Sequence, residues 1–242
     1  MVHSGCQSIY SAQGAELFPG QWDPRALYRA VTGEDGAYWR GRRVLDIGAN
    51  TSGLSVEIAR HGASVCAAEP DPYRNSKAIA RDTLESVIAD ERLELELVDD
   101  GLFQVSRLGR FDTVLCLGLV YHFRDPQYVL DYLSTLDMAD LIISEQTYAG
   151  DELVLVNRKD ARVLPAAFWD NHKEPISGWH PTRALFERML EAAGFGDVTP
   201  LTDPSVNFPA KPAPGLTNAA YYRARKIRSV DPIEARERYL PR

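Results

Sequence analysis

Two acidic residues and the turn between them are the part of the sequence best suited to chemistry. Asp46 ends one apolar run, and Glu69 ends a second apolar run 23 positions later. Gly48, Asn50 and Gly53 lie in the turn that follows Asp46, and a helical stretch comes next. Strand, turn and helix in this order open a doubly wound sheet, whose ligands bind beyond the carboxyl ends of the strands. We therefore expect the turn to contact a cofactor.

The residues of the turn limit the kind of cofactor. A dinucleotide fold needs G-x-G-x-x-G, but Asn50 stands where the middle glycine would be, and no Gly-Lys-Ser/Thr follows to form a P-loop. Asp46 would repel a phosphate but would attract the ammonium and sulfonium groups of S-adenosylmethionine. Glu69 ends the second strand, where an acid hydrogen-bonds ribose hydroxyls. The turn therefore predicts S-adenosylmethionine as the cofactor and S-adenosylhomocysteine as its product.

The turn and the second acid together resemble the first motif of class I S-adenosylmethionine-dependent methyltransferases, a D-x-G-x-G-x-G loop. The sequence departs from that motif at Asn50 and in the place of its last glycine, and the variant D-I-G-A-N-x-x-G occurs in the same group. The resemblance implies an α/β, Rossmann-like fold: a seven-stranded, mostly parallel sheet with the last strand antiparallel and helices on both faces. The cofactor contacts expected from the turn, the strand ends and the resemblance are Asp46, Gly48, Asn50, Gly53, Glu69, Pro70, Asp100, Gly101, Leu102 and Leu117.

Some of these assignments have structural alternatives. An Asp-Asp-Gly sequence at 99–101 is also what a simple turn would contain. An α/β protein could likewise carry the turn after Asp46 without binding anything there. The pairing of that turn with Glu69 favours the cofactor over both alternatives.

The stretch L-G-L-V-Y-H-F-R-D-P, at 117–126, is the most family-specific part of the chain. It resembles the G-V-L-Y-H-x-x-x-P signature of the tRNA wobble-uridine carboxymethyltransferases, and related small-molecule methyltransferases share its Tyr-His-x-x-x-Pro core. The resemblance places Tyr121 and His122 beneath the transferred methyl group. We expect both to be catalytic, with His122 as the base for a hydroxyl acceptor, because the ordinary pKa of histidine is about 6.5. Alternatively, His122 only packs on the cofactor or caps the next helix.

The acceptor is expected to meet four further side chains: Trp22, Glu145, Trp169 and His172. Glu145 falls where the tRNA-modifying branch also carries an acid at the end of the fifth strand. Trp169 and His172 belong to residues 147–180, a largely irregular stretch that we predict to be a substrate lid, since loops longer than about 15 residues are usually functional. His172, His180 and Glu145 are rivals to His122 as the base.

The domain organisation follows from these positions. Residues 1–42 are rich in aromatic side chains and show no clear strand, so they are predicted to form an N-terminal helical lid. Asp23 followed by Pro24 predicts a helix from Pro24 to about Thr32. Residues 43–242 are predicted to form the methyltransferase domain, with the lid-like insertion at about 147–180.

Charge and composition exclude several classes of protein. The formal net charge is −7, whereas a protein that neutralises many phosphates usually has a basic face, so we do not expect nucleic acid as a partner. No apolar run approaches the roughly 20 residues of a membrane helix, and no secretory signal is visible. The three cysteines (Cys6, Cys66 and Cys116) are expected to be free thiols in a reducing cytoplasm. No spacing of Cys or His predicts a metal site.

These observations predict a methyltransferase that acts on a small molecule in secondary metabolism. A tRNA-modifying methyl or carboxymethyl transferase is the first alternative. It is disfavoured because its members hold the extra carboxylate of their cofactor with an N-terminal lysine, and residues 1–40 contain none. A catalytically silent cofactor-binding module that regulates a partner is the second alternative.

Overall fold

The computed structural model describes residues 3–32, 36–70, 77–123, 125–157, 179–201 and 215–233. The strands are β1 (His3–Gln7), β2 (Ile9–Tyr10), β3 (Glu16–Phe18), β4 (Gly20–Trp22), β5 (Arg43–Ile47), β6 (Ser64–Ala68), β7 (Leu95–Val98), β8 (Phe111–Leu117), β9 (Met138–Tyr148), β10 (Leu155–Asn157), β11 (Trp179–Pro181), β12 (Phe195–Pro200) and β13 (Leu216–Lys226). The helices are α1 (Pro24–Thr32), α2 (Gly53–Arg60), α3 (Lys77–Glu91), α4 (Pro126–Thr135) and α5 (Arg183–Ala192).

Seven strands form one sheet in the order β12-β13-β9-β8-β5-β6-β7. β6 is parallel to both β5 and β7, whereas β13 is antiparallel to both β9 and β12. β5 and β6 each bury every residue after the first, as expected of parallel strands that are covered on both faces. The prediction of a seven-stranded, mostly parallel sheet with an antiparallel last strand is confirmed.

The chain divides into two compact units, Met1–Leu115 and Cys116–Arg242. In the first unit, the fully buried Trp39 packs in the core, and its indole N–H donates to the Thr32 hydroxyl (2.6 Å). In the second unit, the rings of Phe186 and Tyr222 lie 5.8 Å apart in the core. Each unit therefore has apolar packing of its own.

The N-terminal segment differs from the prediction made for it. Residues 1–42 were expected to contain no strand, but β1 pairs in parallel with β4, and β2 pairs antiparallel with β3. These strands are only two to five residues long, too short to show an alternating pattern in the sequence. Side-chain bonds help to hold them: the Ser8 hydroxyl accepts from the Gly20 N–H (2.9 Å) and donates to Glu16 (2.9 Å). The helix expected from Pro24 to about Thr32 is confirmed as α1.

Several predictions fall on parts of the chain that the structure does not describe. Trp169 and His172 lie outside the described residues, as does most of the predicted insertion at 147–180. This insertion therefore stays a prediction, as does the role of residues 1–42 as a lid. Within the described ranges, no helix is long and apolar enough to cross a membrane. All three cysteines are buried thiols.

Candidate functional site

The turn after β5 is held against the end of β6 by its own backbone. Gly48, Asn50 and Ser52 all adopt left-handed conformations, with φ of 72°, 59° and 57°. Asparagine tolerates this region better than most residues, which explains how Asn50 can occupy the position of a glycine. The Gly48 N–H donates to the Ala68 carbonyl (2.9 Å), and the Asn50 N–H donates to Glu69 Oε2 (2.8 Å). The conformation of the turn therefore brings Glu69 to the loop, and its predicted contact with the ribose stays a prediction.

Asp46 is buried beneath this turn, at 3% exposure. The Ser55 hydroxyl donates to its Oδ2 atom (2.6 Å). Burial raises the pKa of Asp46 to about 6; the Ser55 hydrogen bond opposes the rise, and the negative charge of Glu69 adds to it. No cationic side chain among the described residues pairs with Asp46. A cationic ligand is therefore the group that would stabilise its ionised form.

The first strand also contacts the turn, through a residue that the sequence analysis missed. Gln7, in β1, is buried, and its side-chain Oε1 accepts a hydrogen bond from the Leu54 N–H (2.8 Å). Its backbone carbonyl accepts from the Thr51 hydroxyl (2.7 Å), and its N–H donates to Asn50 Oδ1 (3.2 Å). Contacts between residues more than 40 positions apart leave no periodic signal, so nothing in the sequence pointed to Gln7.

Gly53 packs against the same segment. A Cβ atom added to Gly53 would lie 2.3 Å from the Ser8 carbonyl oxygen, a distance that no side chain can occupy. The approach of the N-terminal segment thus accounts for the glycine at this position. Its predicted contact with the cofactor stays a prediction.

We expect Gly53→Ala to destabilise the protein by about 1–3 kcal/mol, because the new methyl group must displace the Ser8 backbone. Gly101→Ala is the matched control, since its added Cβ would meet only the flexible end of Gln104, at 3.5 Å. Urea unfolding of both variants measures the difference. Equal midpoints for Gly53→Ala and the wild type would contradict this packing role.

The end of β7 carries a buried oxygen that lacks a partner. Asp100 Oδ1 accepts from the Arg107 guanidinium (2.6 Å), but its buried Oδ2 atom has no hydrogen-bond partner among the described residues. Gly101 donates its N–H to Gln104 Oε1 (2.8 Å), and Leu102 begins a short 3-10 helix. Because buried polar atoms are nearly always paired, Oδ2 is suited to accept a bond from a ligand, for example from the amino group of a nucleobase.

A cavity of about 40 Å³ lies between the turn and the end of β7, lined in part by Asn50, Glu69, Arg81 and Asp99. Its volume is smaller than that of a nucleoside, and the Arg81 guanidinium beside it pairs with Glu85 (2.8 Å) and Asp99 (3.3 Å). A larger cavity of about 330 Å³ is lined by Arg43 and by residues near the amino ends of β6 and β7. We favour the smaller one as the ligand site, because ligands of such sheets bind at the carboxyl ends.

A separate polar cluster lies in the second unit, around Glu145 in β9. Glu145 is fully buried; its Oε1 atom accepts from the Gln146 N–H (2.9 Å), and its carboxyl group also accepts from the Tyr121 backbone N–H. Its buried Oε2 atom has no hydrogen-bond partner among the described residues. Burial raises the pKa of Glu145 well above its ordinary value, which favours the neutral carboxylic acid.

Tyr121 and His122 lie in a short 3-10 turn after β8. The Tyr121 ring lies near two imidazoles, with centroids 4.2 Å from that of His122 and 5.3 Å from that of His180. Burial raises the pKa of Tyr121, so its phenol stays protonated. Burial, and then the nearby His180, lower the pKa of His122 to about 4. His122 is therefore neutral at pH 7, but its low affinity for a proton weighs against the predicted role as a base.

His180, in β11, is the second imidazole beside Tyr121, and a backbone contact determines its tautomer. It is fully buried, and its Nδ1 atom lies 2.8 Å from the Gln146 carbonyl oxygen. A carbonyl can only accept, so Nδ1 carries the hydrogen and the neutral ring has its lone pair on Nε2. The tautomer that could take a proton from an acceptor is thus fixed by the backbone of β9.

For the remaining predicted site residues within the described ranges, the structure gives their place in the fold. Trp22 is half-buried in β4, Pro70 directly follows Glu69, and Leu117 is half-buried at the end of β8. Within the described ranges, no group of three Asp, Glu, His or Cys side chains could hold a metal ion.

Residues 24–199 match the family model described as "Methyltransferase domain". A tRNA U34 carboxymethyltransferase of Alcanivorax borkumensis is 30% identical over 171 residues, covering 66% of this chain and 46% of its own length. The chain thus spans about half the length of the curated relatives it matches.

Two solved structures share the fold. The N-terminal domain of EvdMO1, in the presence of S-adenosylhomocysteine and D-fucose, superposes with a TM-score of 0.62 at 21% identity, covering 92% of this chain and 91% of that one. The 1,6-didemethyltoxoflavin-N1-methyltransferase of Burkholderia thailandensis, with its substrate and S-adenosylhomocysteine bound, gives 0.54 at 17% identity, covering 86% and 80%. At these levels of sequence identity, the similarity shows a shared fold.

Proposed function

We propose that this chain, which belongs to the family of methyltransferase domains, transfers a methyl group from S-adenosylmethionine to a small molecule in secondary metabolism. The observation that carries the proposal is the pair of acids at the turn after β5. Asp46 is buried without a cationic partner among the described residues, and Glu69 lies beside it at the end of β6. One acid suits an ammonium group and the other suits ribose hydroxyls.

Each group of the first unit has a distinct part in binding the cofactor. S-adenosylmethionine supplies a methyl group already activated on a sulfonium. Asp46 stabilises the ammonium of its methionine part, and Glu69 accepts from the ribose. Asp100 accepts, through Oδ2, from the amino group of adenine. Binding these groups orients the donor, and methyl transfer depends mainly on orientation and desolvation.

The polar cluster around Glu145 contains neutral groups that suit an acceptor. Tyr121 and Glu145 both favour their protonated forms, so each can donate a hydrogen bond to an acceptor oxygen or nitrogen. His180 Nε2 takes the proton of a hydroxyl acceptor, while His122 remains the alternative base. The buried cysteine thiols fit a reaction in the cytoplasm.

A tRNA-modifying activity is the second candidate, favoured by the carboxymethyltransferase relative. The net charge of −7 opposes it, because RNA binding usually requires a basic surface.

Transfer of a radiolabelled methyl group from S-adenosylmethionine tests the proposal. Phenols, sugars and nitrogen heterocycles form one set of acceptors and bulk tRNA the other, each with and without a chelator. We expect label in a small molecule, unaffected by chelation. Label in tRNA alone would establish the second candidate, and loss of transfer after chelation, restored by magnesium, would reveal a metal site.

A further inference from the structure

We infer that Gln7 is a positioning residue of the cofactor site, so that the first strand of the chain sets the geometry of the cofactor loop. This inference rests on the proposed function, because it assigns the turn after β5 to S-adenosylmethionine. Gln7 contacts that turn with its backbone N–H and carbonyl, and its side chain contacts the start of α2. It does not need to touch the cofactor to affect its binding.

Gln7 influences the geometry of the cofactor loop first through its bond to Asn50. The Asn50 side-chain oxygen accepts from the backbone N–H groups of both Gln7 (3.2 Å) and Thr51 (2.8 Å). These bonds hold Asn50 in its left-handed conformation, and in that conformation its own N–H donates to Glu69 Oε2. Gln7 is therefore connected, through one residue, to the acid proposed to bind the ribose.

Gln7 also influences the loop through its bond to the start of α2. Ser52 occupies the N-cap position of this helix, but its side chain makes no capping bond. Gln7 Oε1 instead accepts from the Leu54 N–H, which is one of the donors that a helix leaves unpaired at its start. A residue from a distant strand thus replaces the missing cap and fixes the first turn of α2, which carries the Ser55 hydroxyl bonded to Asp46.

The N-terminal segment is also anchored at points that do not involve Gln7. The Tyr10 carbonyl accepts from the Arg60 guanidinium (2.7 Å), and the Ala12 N–H donates to Glu91 (2.9 Å). Arg60 in turn pairs with Glu91 (2.7 Å). Changing the Gln7 side chain should therefore remove its bond to the Leu54 N–H at the start of α2, while the segment and the backbone bonds of Gln7 to the loop stay in place. This allows positioning to be separated from folding.

Gln7→Leu and Gln7→Glu form the test pair, and Gln13→Leu is the control at an exposed turn. Leucine has a similar volume but no acceptor, whereas glutamate keeps an oxygen that can accept from Leu54. Titration calorimetry with S-adenosylhomocysteine measures affinity, and urea unfolding verifies that each variant is folded. We expect Gln7→Leu to weaken binding by about 5- to 30-fold, the upper part of the range for a lost helix cap. Gln7→Glu should bind within about fivefold of the wild type, and Gln13→Leu should match it.

The outcomes separate this inference from the proposed function. No binding of S-adenosylhomocysteine by the wild type would overturn the proposed function and this inference with it. Equal affinities of the wild type and Gln7→Leu would overturn the inference alone. Equal losses in Gln7→Leu and Gln7→Glu would also overturn it, since the acceptor oxygen would then have no part in positioning the loop.

Discussion

Replacing Asp46 with Asn is expected to stabilise the folded protein and to weaken binding of the cofactor. The two effects have one cause, which is the burial of a carboxylate without a cationic partner among the described residues. The pKa of Asp46 is raised from 3.8 to about 6, and each tenfold change in proton affinity corresponds to about 1.4 kcal/mol. Above pH 6, the folded state therefore carries a penalty that an amide does not.

The raised pKa of Asp46 determines how the penalty on the folded state changes with pH. The folded state binds the proton more tightly than the unfolded chain, so the penalty is fully present above about pH 6 and disappears as the pH falls towards 3.8. At pH 7.5, Asp46→Asn should raise the free energy of unfolding by about 1–3 kcal/mol, an estimate that allows for imperfect hydrogen bonding of the new amide. Near pH 4 the gain should be close to zero. Urea unfolding at the two pH values measures it.

Cofactor binding should change in the opposite direction. The amide of Asp46→Asn cannot balance an ammonium charge, so the affinity for S-adenosylhomocysteine should fall by about 10- to 100-fold. Wild-type affinity should decline below pH 6 as Asp46 takes up a proton, and the variant should lack this decline. Asp131→Asn is the control, because Asp131 is also buried with a raised pKa but has no proposed contact with the cofactor. Stabilisation of Asp46→Asn with unchanged affinity would remove Asp46 from the site.

The second large effect is expected at His180. If the acceptor is a hydroxyl compound, His180→Asn should lower kcat by about 10²- to 10⁴-fold, the usual range for a lost acid or base. The Nδ1 bond to the Gln146 carbonyl leaves the lone pair of the neutral ring on Nε2, the arrangement that a base requires. His122→Asn should lower kcat less than about tenfold, because burial has already made His122 a weak proton acceptor. Turnover with the acceptor found by the methyl-transfer screen measures both.

Binding of S-adenosylhomocysteine serves as the control in this comparison and should be unchanged in both variants. A large loss in His122→Asn with near-native turnover in His180→Asn would restore His122 as the base. Near-native turnover in both would indicate a nitrogen acceptor, since an amine needs only a neutral lone pair directed at the methyl group.

The turn and the strand ends proposed to bind the cofactor could be located from the sequence because their signals are local. The turn from Gly48 to Gly53 and the acids at two strand ends lie in or beside short apolar runs, and such runs fix parallel strands whose ends meet at one edge. Asn50 could be assigned to the loop despite replacing a glycine. Its left-handed backbone, seen in the structure, is the physical reason for that exchange.

The contacts of Gln7 and the orientation of His180 depend on pairings that sequence periodicity does not encode. β1 is too short to be recognised by alternation, and Gln7 meets the turn 43 positions later in the chain. The tautomer of His180 depends on a carbonyl of β9, and the low pKa of His122 depends on burial. From the sequence alone, His122 was the first candidate for the base because it lies in the Tyr-His-x-x-x-Pro motif.

Titration of S-adenosylhomocysteine into the wild type and Glu69→Ala is the most direct test of the central claim, that the turn after β5 and the acid ending β6 bind S-adenosylmethionine. The account predicts one site per chain in the wild type. In Glu69→Ala, the affinity should be lower by about 5- to 150-fold, because the loss of a charged hydrogen-bond acceptor costs about 1–3 kcal/mol. No binding by the wild type, or the same affinity in both proteins, would contradict it.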